Sequence, residues 1–171
     1  MRKFFYTFAF ILCALMTLQA ETMVVATYNL RNANGSDSTN GNGWGQRYPY
    51  IAQIVQFHGF DIFGTQEGKY PQLQDLRQAM PGYDYIGVGR DDGKRAGEHS
   101  AIFYRTDKFE VLEHGDFWLS EITDRPNKGW DAVLPRICTW GEFRDKQTGF
   151  TFLFFNLHMD HVGVQARAFR C

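Results

Sequence analysis

Residues Thr151 to Leu157 read TFLFFNL, a stretch that is apolar almost throughout. Seven residues is strand length rather than helix length, and the aromatic content suits a strand. A strand with so little polar alternation has both faces covered. That implies a layered α/β sandwich with helices outside. Upstream, Met23 to Leu30 (MVVATYNL) and Asp61 to Thr65 (DIFGT) read as buried strands, being rich in β-branched and aromatic residues. Further strands are expected at Tyr83 to Val88, Ser100 to Arg105, Phe109 to Leu119, Arg136 to Phe143 and Phe150 to Leu157. Two helices are expected among them. Ile51, Ile54, Val55 and His58 follow the i, i+3, i+4, i+7 spacing of one helical face. Pro71 opens the second, which carries Leu73, Leu76 and Met80 and stops at Pro81-Gly82. A third helix starts at Val162 and runs toward Arg170. Asn32 to Gly43 (NANGSDSTNGNG) is too poor in apolar surface to order itself and reads as a mobile loop.

The chain has 171 residues, about one domain. Its 44% hydrophobic and 22% charged residues exclude a wholly disordered or collagen-like polymer. A formal net charge of -1 advertises no affinity for long nucleic acid. Arg2 and Lys3 precede the uncharged apolar run Phe4 to Leu18, the layout of a secretory signal peptide with cleavage after Ala20. The run is short of the roughly 20 apolar residues that span a membrane. The expectation is a signal peptide at 1–20, one domain at 21–171, export to the periplasm or exterior, and no transmembrane segment after cleavage. Losing Arg2 and Lys3 takes the charge from -1 to -3 and leaves Cys138 and Cys171. A strand cysteine such as Cys138 is expected to be a buried, unpaired thiol.

Five polar residues each follow or end an apolar strand: Asn29, Glu67, Glu98, Arg136 and His158. Strand ends of a sandwich gather along one rim, where such residues can converge on a pocket. Singly they are weak signals, readable as a turn cap, loop charges, an ion pair and a core histidine. As a set they suit one chemistry. A carboxylate such as Glu67 binds a hard cation, and Asn29 adds a neutral oxygen or a hydrogen bond. Arg136 offers a planar fork to phosphate oxygens. His158 can donate a proton to a phosphoryl oxygen, and Glu98 could fix its tautomer through the far ring nitrogen. Metal-assisted phosphoester hydrolysis is the reading that unites them. His158-x-Asp160-His161 also has zinc-like spacing. In an extended segment, however, His158 and Asp160 share a face and His161 points away, which weakens it. No Gly-x-Ser-x-Gly elbow occurs, so serine nucleophile chemistry gains no support.

Several stretches occur in a telling order: Thr27-Tyr28-Asn29-Leu30-Arg31, Gly64-Thr65-Gln66-Glu67, Ser100-Ala101-Ile102-Phe103-Tyr104-Arg105 and Phe155-Asn156-Leu157-His158-Met159-Asp160-His161. This series resembles the endonuclease/exonuclease/phosphatase superfamily of DNase I-like enzymes. Trp44 with Arg47, Phe117 to Glu121, Gly129-Trp130-Asp131 and Pro135 to Trp140 resemble a bacterial branch of it. The resemblance implies a four-layered α/β sandwich, two mixed sheets face to face with helices outside. It also implies a Mg2+- or Mn2+-dependent phosphoric ester hydrolase. Glu67 matches the metal-ligating glutamate and Asn29 the asparagine beside the metal. Glu98 matches the acid that partners the active-site histidine, Arg136 a phosphate-contacting arginine, and His158 the histidine on the scissile phosphate. Asp160 and Tyr104, in the same motifs, are secondary candidates. The implied substrates are nucleic acid, sugar phosphate, phosphoinositide or phospholipid headgroup, with no obligate protein partner evident. The family pattern continues with Gly-Asp-x-Asn and Ser-Asp-His motifs, and neither follows His158 here. The chain is therefore expected to be an N-terminal portion of the enzyme, truncated after the His-containing strand, poorly soluble, and inactive or nearly so. General-base help alone is worth about 10²–10⁴-fold. The alternative is an exported, non-catalytic β-sandwich binding module.

Overall fold

The computed structural model describes residues 22–169; the expected signal peptide and Cys171 lie outside them. The first sheet is built from β1 (Val25–Asn29), β2 (Ile62–Gln66), β4 (Tyr83–Ile86) and β6 (Ile102–Arg105), in the order β1-β2-β6-β4. It is mixed. β1 runs parallel to β2, with Val25 opposite Ile62 and Asn29 opposite Gln66, and the other pairings are antiparallel. The second sheet, β7 (Phe109–Trp118), β8 (Ile137–Asp145) and β9 (Thr151–Leu157), is antiparallel throughout the described residues, where the resemblance implied a mixed one. A two-residue ladder joins β3 (Gly68–Lys69) to β5 (Glu98–His99).

Helices α1 (Gly35–Thr39), α2 (Trp44–His58), α3 (Tyr70–Ala79) and α4 (Val164–Ala168) complete the described chain. α2 begins seven residues before the apolar spacing, runs through Pro49, and ends at Gly59, whose left-handed backbone (φ 61°) glycine adopts without strain. Its core face is Ile51, Ala52 and Val55, while Ile54 and His58 are exposed. α3 has Pro71 in its first turn and buries Leu73 and Leu76, with Met80 just beyond its end.

Two apolar layers follow from the period-2 alternation of the first sheet. Phe63, Ala101 and Phe103 face α2 and α3 and pack with Leu30, Val55 and Leu76. Ile62, Ile86 and Ile102 face the second sheet and meet Phe109 and Phe143, with Phe152 and Phe154 at the margin. Each fully buried side chain of this size contributes roughly 1.5–3 kcal/mol. The strand covered on both faces is thus β2, all but the last residue of which is buried. β9 is not. Phe152, Phe154 and Asn156 turn inward, while Leu153 (58% exposed) and Phe155 (54%) turn outward. An apolar run cannot distinguish a central strand from an outer one whose far face nothing in the described residues covers.

The loop at 32–43 also departs from expectation. Asn34 caps α1 by accepting the Asp37 amide hydrogen (2.9 Å), and Arg31 grips the Asp37 carboxylate through two nitrogens at 2.6 and 2.8 Å. Polar side chains order this segment where apolar burial could not. Cys138 is buried with a free thiol that burial pushes up to about 11. No helix among the described residues is long and apolar enough to cross a membrane.

Candidate functional site

The parallel pairing of β1 with β2 brings their C-terminal ends side by side, so Asn29 and Glu67 emerge together. Asn29 Nδ2 donates to Glu67 Oε1 (3.0 Å), and the Asn32 amide donates to Oε2 (3.2 Å). Glu67 sits at φ +64°, a left-handed conformation that costs a non-glycine residue of order 1–3 kcal/mol and concentrates at functional sites. Burial pushes its carboxyl up. The Asn29 and Asn32 hydrogen bonds, His158 and Arg31 outweigh that and hold it below the usual glutamate range.

The loop carrying these residues is fixed from behind. Arg47 donates to the carbonyl oxygens of Leu30 (2.7 Å) and Arg31 (3.0 Å). Buried Gln72 donates to the Arg31 carbonyl and accepts from the Ala33 amide. The β3–β5 ladder then sets Lys69 opposite Glu98, which brings Glu98 to the same rim. Asn32 bridges the two acids, its Nδ2 donating to Glu98 Oε1 at 3.0 Å.

The second sheet supplies the cationic side. Arg136 precedes β8 and His158 follows β9. Both line a small cavity together with Glu67, Glu98 and Arg90. All five strand-end candidates therefore meet: four line this cavity, and Asn29 is bonded to Glu67. Arg136 is 3% exposed and held by Asp160, Nε to Oδ2 at 3.2 Å, and by His161 Nδ1, 3.1 Å from Nη2. Burial pushes the His158 imidazole down. Arg136 adds to that effect, against the opposing charges of Glu67 and Glu98.

Three sequence expectations need correcting. Glu98 is not the hydrogen-bond partner of His158: its Oε2 pairs with Arg90 Nη1 at 2.7 Å, and His158 Nδ1 has no protein partner among the described residues. Asp160 is no candidate ligand. It is 1% exposed, and its oxygens accept from Arg136 and from the Val133, Val162 and Gly163 amides. Burial pushes this carboxyl up, but the Gly163 and Val162 amides and Arg136 outweigh that and hold it well below the carboxylate range. Tyr104 is opposite Ile62 in the antiparallel β2–β6 register, at the far end of β2 from Glu67, and its ring packs on Phe143. Arg90 and Asn32 are not legible as site residues in the sequence, because they lie in polar turns with no periodic signal. Trp118 is core, donating its indole N–H to the Arg90 carbonyl (2.8 Å). Trp130 is 36% exposed and stacks on Phe169.

No cluster of three or more His, Cys, Asp or Glu among the described residues could hold a metal ion, and Asp160 and His161 are engaged by Arg136. The oxygen donors beside the cavity are the ionised Glu67 carboxylate and the Asn29 amide oxygen, which also accepts the Arg31 amide hydrogen (2.8 Å). Such oxygen donors fit magnesium or manganese, which keep several waters and take one or two carboxylates.

No protein-family model matches the chain. Over 87% of its length it superposes on the mannosyl-6-phosphatase of Bacteroides thetaiotaomicron with a TM-score of 0.86 and 72% identity, covering 56% of that chain. An endonuclease/exonuclease/phosphatase from Bacteroides vulgatus is 48% identical at a TM-score of 0.84, covering 88% of this chain and 57% of the other. An uncharacterised protein of Acanthamoeba polyphaga mimivirus is 28% identical over 124 residues, 68% of this chain and 46% of its own. The chain thus spans a little over half the length of these solved structures.

Proposed function

We propose, given that this chain belongs to the endonuclease/exonuclease/phosphatase superfamily, that it carries the metal- and phosphate-binding side of a phosphoesterase acting on a phosphorylated sugar. The observation that carries this reading is that Glu67, Arg136 and His158 gather at one rim and line the same small cavity, over which, rather than inside which, a phosphoryl group would sit. The sugar follows from the 72%-identical relative described as a mannosyl-6-phosphatase. Mg2+ or Mn2+ would be held by Glu67 with Asn29, and when bound it supplies positive charge to the phosphoryl oxygens. Arg136, oriented by Asp160 and His161, presents a guanidinium to the same oxygens. His158 donates an N–H to a phosphoryl oxygen as charge develops. The Asn29 and Asn32 hydrogen bonds keep Glu67 ionised and aimed. The N-terminal signal pattern supports a periplasmic or extracellular location.

Titrating Mn2+ by electron paramagnetic resonance tests the metal site, with mannose 6-phosphate hydrolysis in Mg2+ as the second readout. Glu67→Ala should weaken Mn2+ binding at least about tenfold, the loss of an interaction near 1.4 kcal/mol. Undiminished Mn2+ binding by that variant would overturn the proposal and favour a non-catalytic binding module.

A further inference from the structure

Three buried side-chain nitrogens among the described residues have no hydrogen-bond partner in the protein: Arg90 Nε, His99 Nδ1 and His158 Nδ1. All three belong to residues lining the small cavity that Glu67, Glu98 and Arg136 also line. Arg90 is 8% exposed and His99 2%, so bulk solvent does not serve them, and the Asp91 carboxylate, 3.8 Å from Arg90 Nε, is beyond hydrogen-bond reach. Leaving a buried polar group unmatched costs roughly 1–3 kcal/mol, and three around one cavity would be an expensive accident. The cavity measures about 10 Å³, enough for one water and too little for a phosphate. A cation does not fit, because the guanidinium Nε carries a hydrogen and can only donate.

We propose that this cavity is a hydration site in which one water links Arg90 to His158 and sets the histidine tautomer. The water accepts Arg90 Nε–H, which turns its hydrogens toward His158 Nδ1 and His99 Nδ1. Three partners is the usual complement for a buried water. With Nδ1 accepting, the His158 hydrogen resides on Nε2 and faces the phosphoryl oxygen. Arg90 is then a positioning residue, anchored by Glu98 through its Nη1. Glu98 reaches the histidine through Arg90 and water rather than directly. The relevance of this tautomer to catalysis rests on the proposed phosphoesterase reading; the tautomer itself does not.

The test is the side-chain nitrogen spectrum of His158 in the ¹⁵N-labelled chain, assigned by loss of its signals in His158→Gln. The Nε2–H tautomer should dominate in the wild type. A water with a long residence time should give cross-relaxation to protons lining the cavity. Arg90→Lys keeps the positive charge but lacks the Nε–H. It should cut the Nε2–H population at least twofold while the chain stays folded by circular dichroism. A wild-type His158 in the Nδ1–H form overturns the proposal, as does an unchanged tautomer in folded Arg90→Lys. Should the variant fail to fold, the wild-type tautomer and water signals decide alone. No turnover or metal is needed, so this result and the fate of the Glu67 test are read independently.

Discussion

Replacing Asp160 by Asn removes one charge and nearly no volume, yet it strikes the support of the phosphate-facing arginine. The Oδ2 atom takes Arg136 Nε and the Val133 amide, and Oδ1 takes the Val162 and Gly163 amides. All four partners are donors. Whichever way an asparagine amide is turned, its NH2 confronts two of them, and the Arg136 charge loses its counterion in a site 3% exposed. Removing one partner of a buried ion pair costs about 3–5 kcal/mol, a large share of the roughly 5–15 kcal/mol that holds a domain folded. For a chain of this size that lowers the melting temperature by roughly 6–20 °C. The pH dependence has a definite sign. The folded carboxyl is held below its unfolded value near 3.9, so the wild-type advantage is complete above that value. It fades as pH falls through the lowered folded value. Urea titrations of both proteins at neutral pH and at pH 3 measure this, and the gap should narrow at the lower pH. The double variant Asp160→Asn with Arg136→Met should lose less than Asp160→Asn alone, because it leaves no unpaired buried charge while the asparagine oxygen still accepts backbone amides. A penalty below about 1 kcal/mol, or a gap indifferent to acid, would refute the reasoning.

Other outcomes follow from the same geometry. Glu67→Gly should be more stable than Glu67→Ala by about 1 kcal/mol in urea denaturation, since φ +64° strains only the alanine, while both lose Mn2+ binding. Gly64→Ala places a methyl 2.5 Å from Asn156 Oδ1 and Cγ; it should destabilise by about 1–3 kcal/mol, measured by thermal melting. With its thiol pushed up to about 11, Cys138 should alkylate at pH 8 on the order of 10²-fold more slowly than free cysteine. Peptide mass spectrometry separates it from Cys171, and equal rates in the native chain would contradict its burial.

The strands that order themselves by apolar content are legible in the amino-acid sequence alone: β1, β2, β4 and β6 through β9 each carry a run of β-branched or aromatic residues. The strand-end logic for the site is legible too, because strands that share a sheet end on shared rims. β3 and β5 are not, since two-residue ladders have no period to detect. The order in the loop at 32–43 comes from individual polar contacts, the Arg31–Asp37 ion pair, the Asn34 cap and the bonds to Gln72 and Arg47 among them, which composition averages away. Strand-end reasoning puts Glu98 at the right rim but with the wrong partner. Arg90 lies in a polar turn whose proximity arises only from folding. TFLFFNL misleads for a related reason: hydropathy reports that a side chain is apolar, not whether another layer lies over it.

Asn156 donates from the second sheet to the carbonyl oxygens of Thr65 (2.8 Å) and Ala101 (2.9 Å) in the first, and accepts from Gln66 Nε2 (2.9 Å). Gly64 beside it leaves the amide the space to do so. One side chain thus rivets the two sheets a single residue from Glu67's strand end and two from His158. The aromatic packing at the opposite end, around Phe109 and Phe152, can drift through substitution without shearing the metal side of the pocket away from the phosphate side. Selection on the chemistry and wear on the hydrophobic interior are thereby uncoupled, and a library that randomises the distal phenylalanines should keep the pocket's spacing while one that touches position 156 should not.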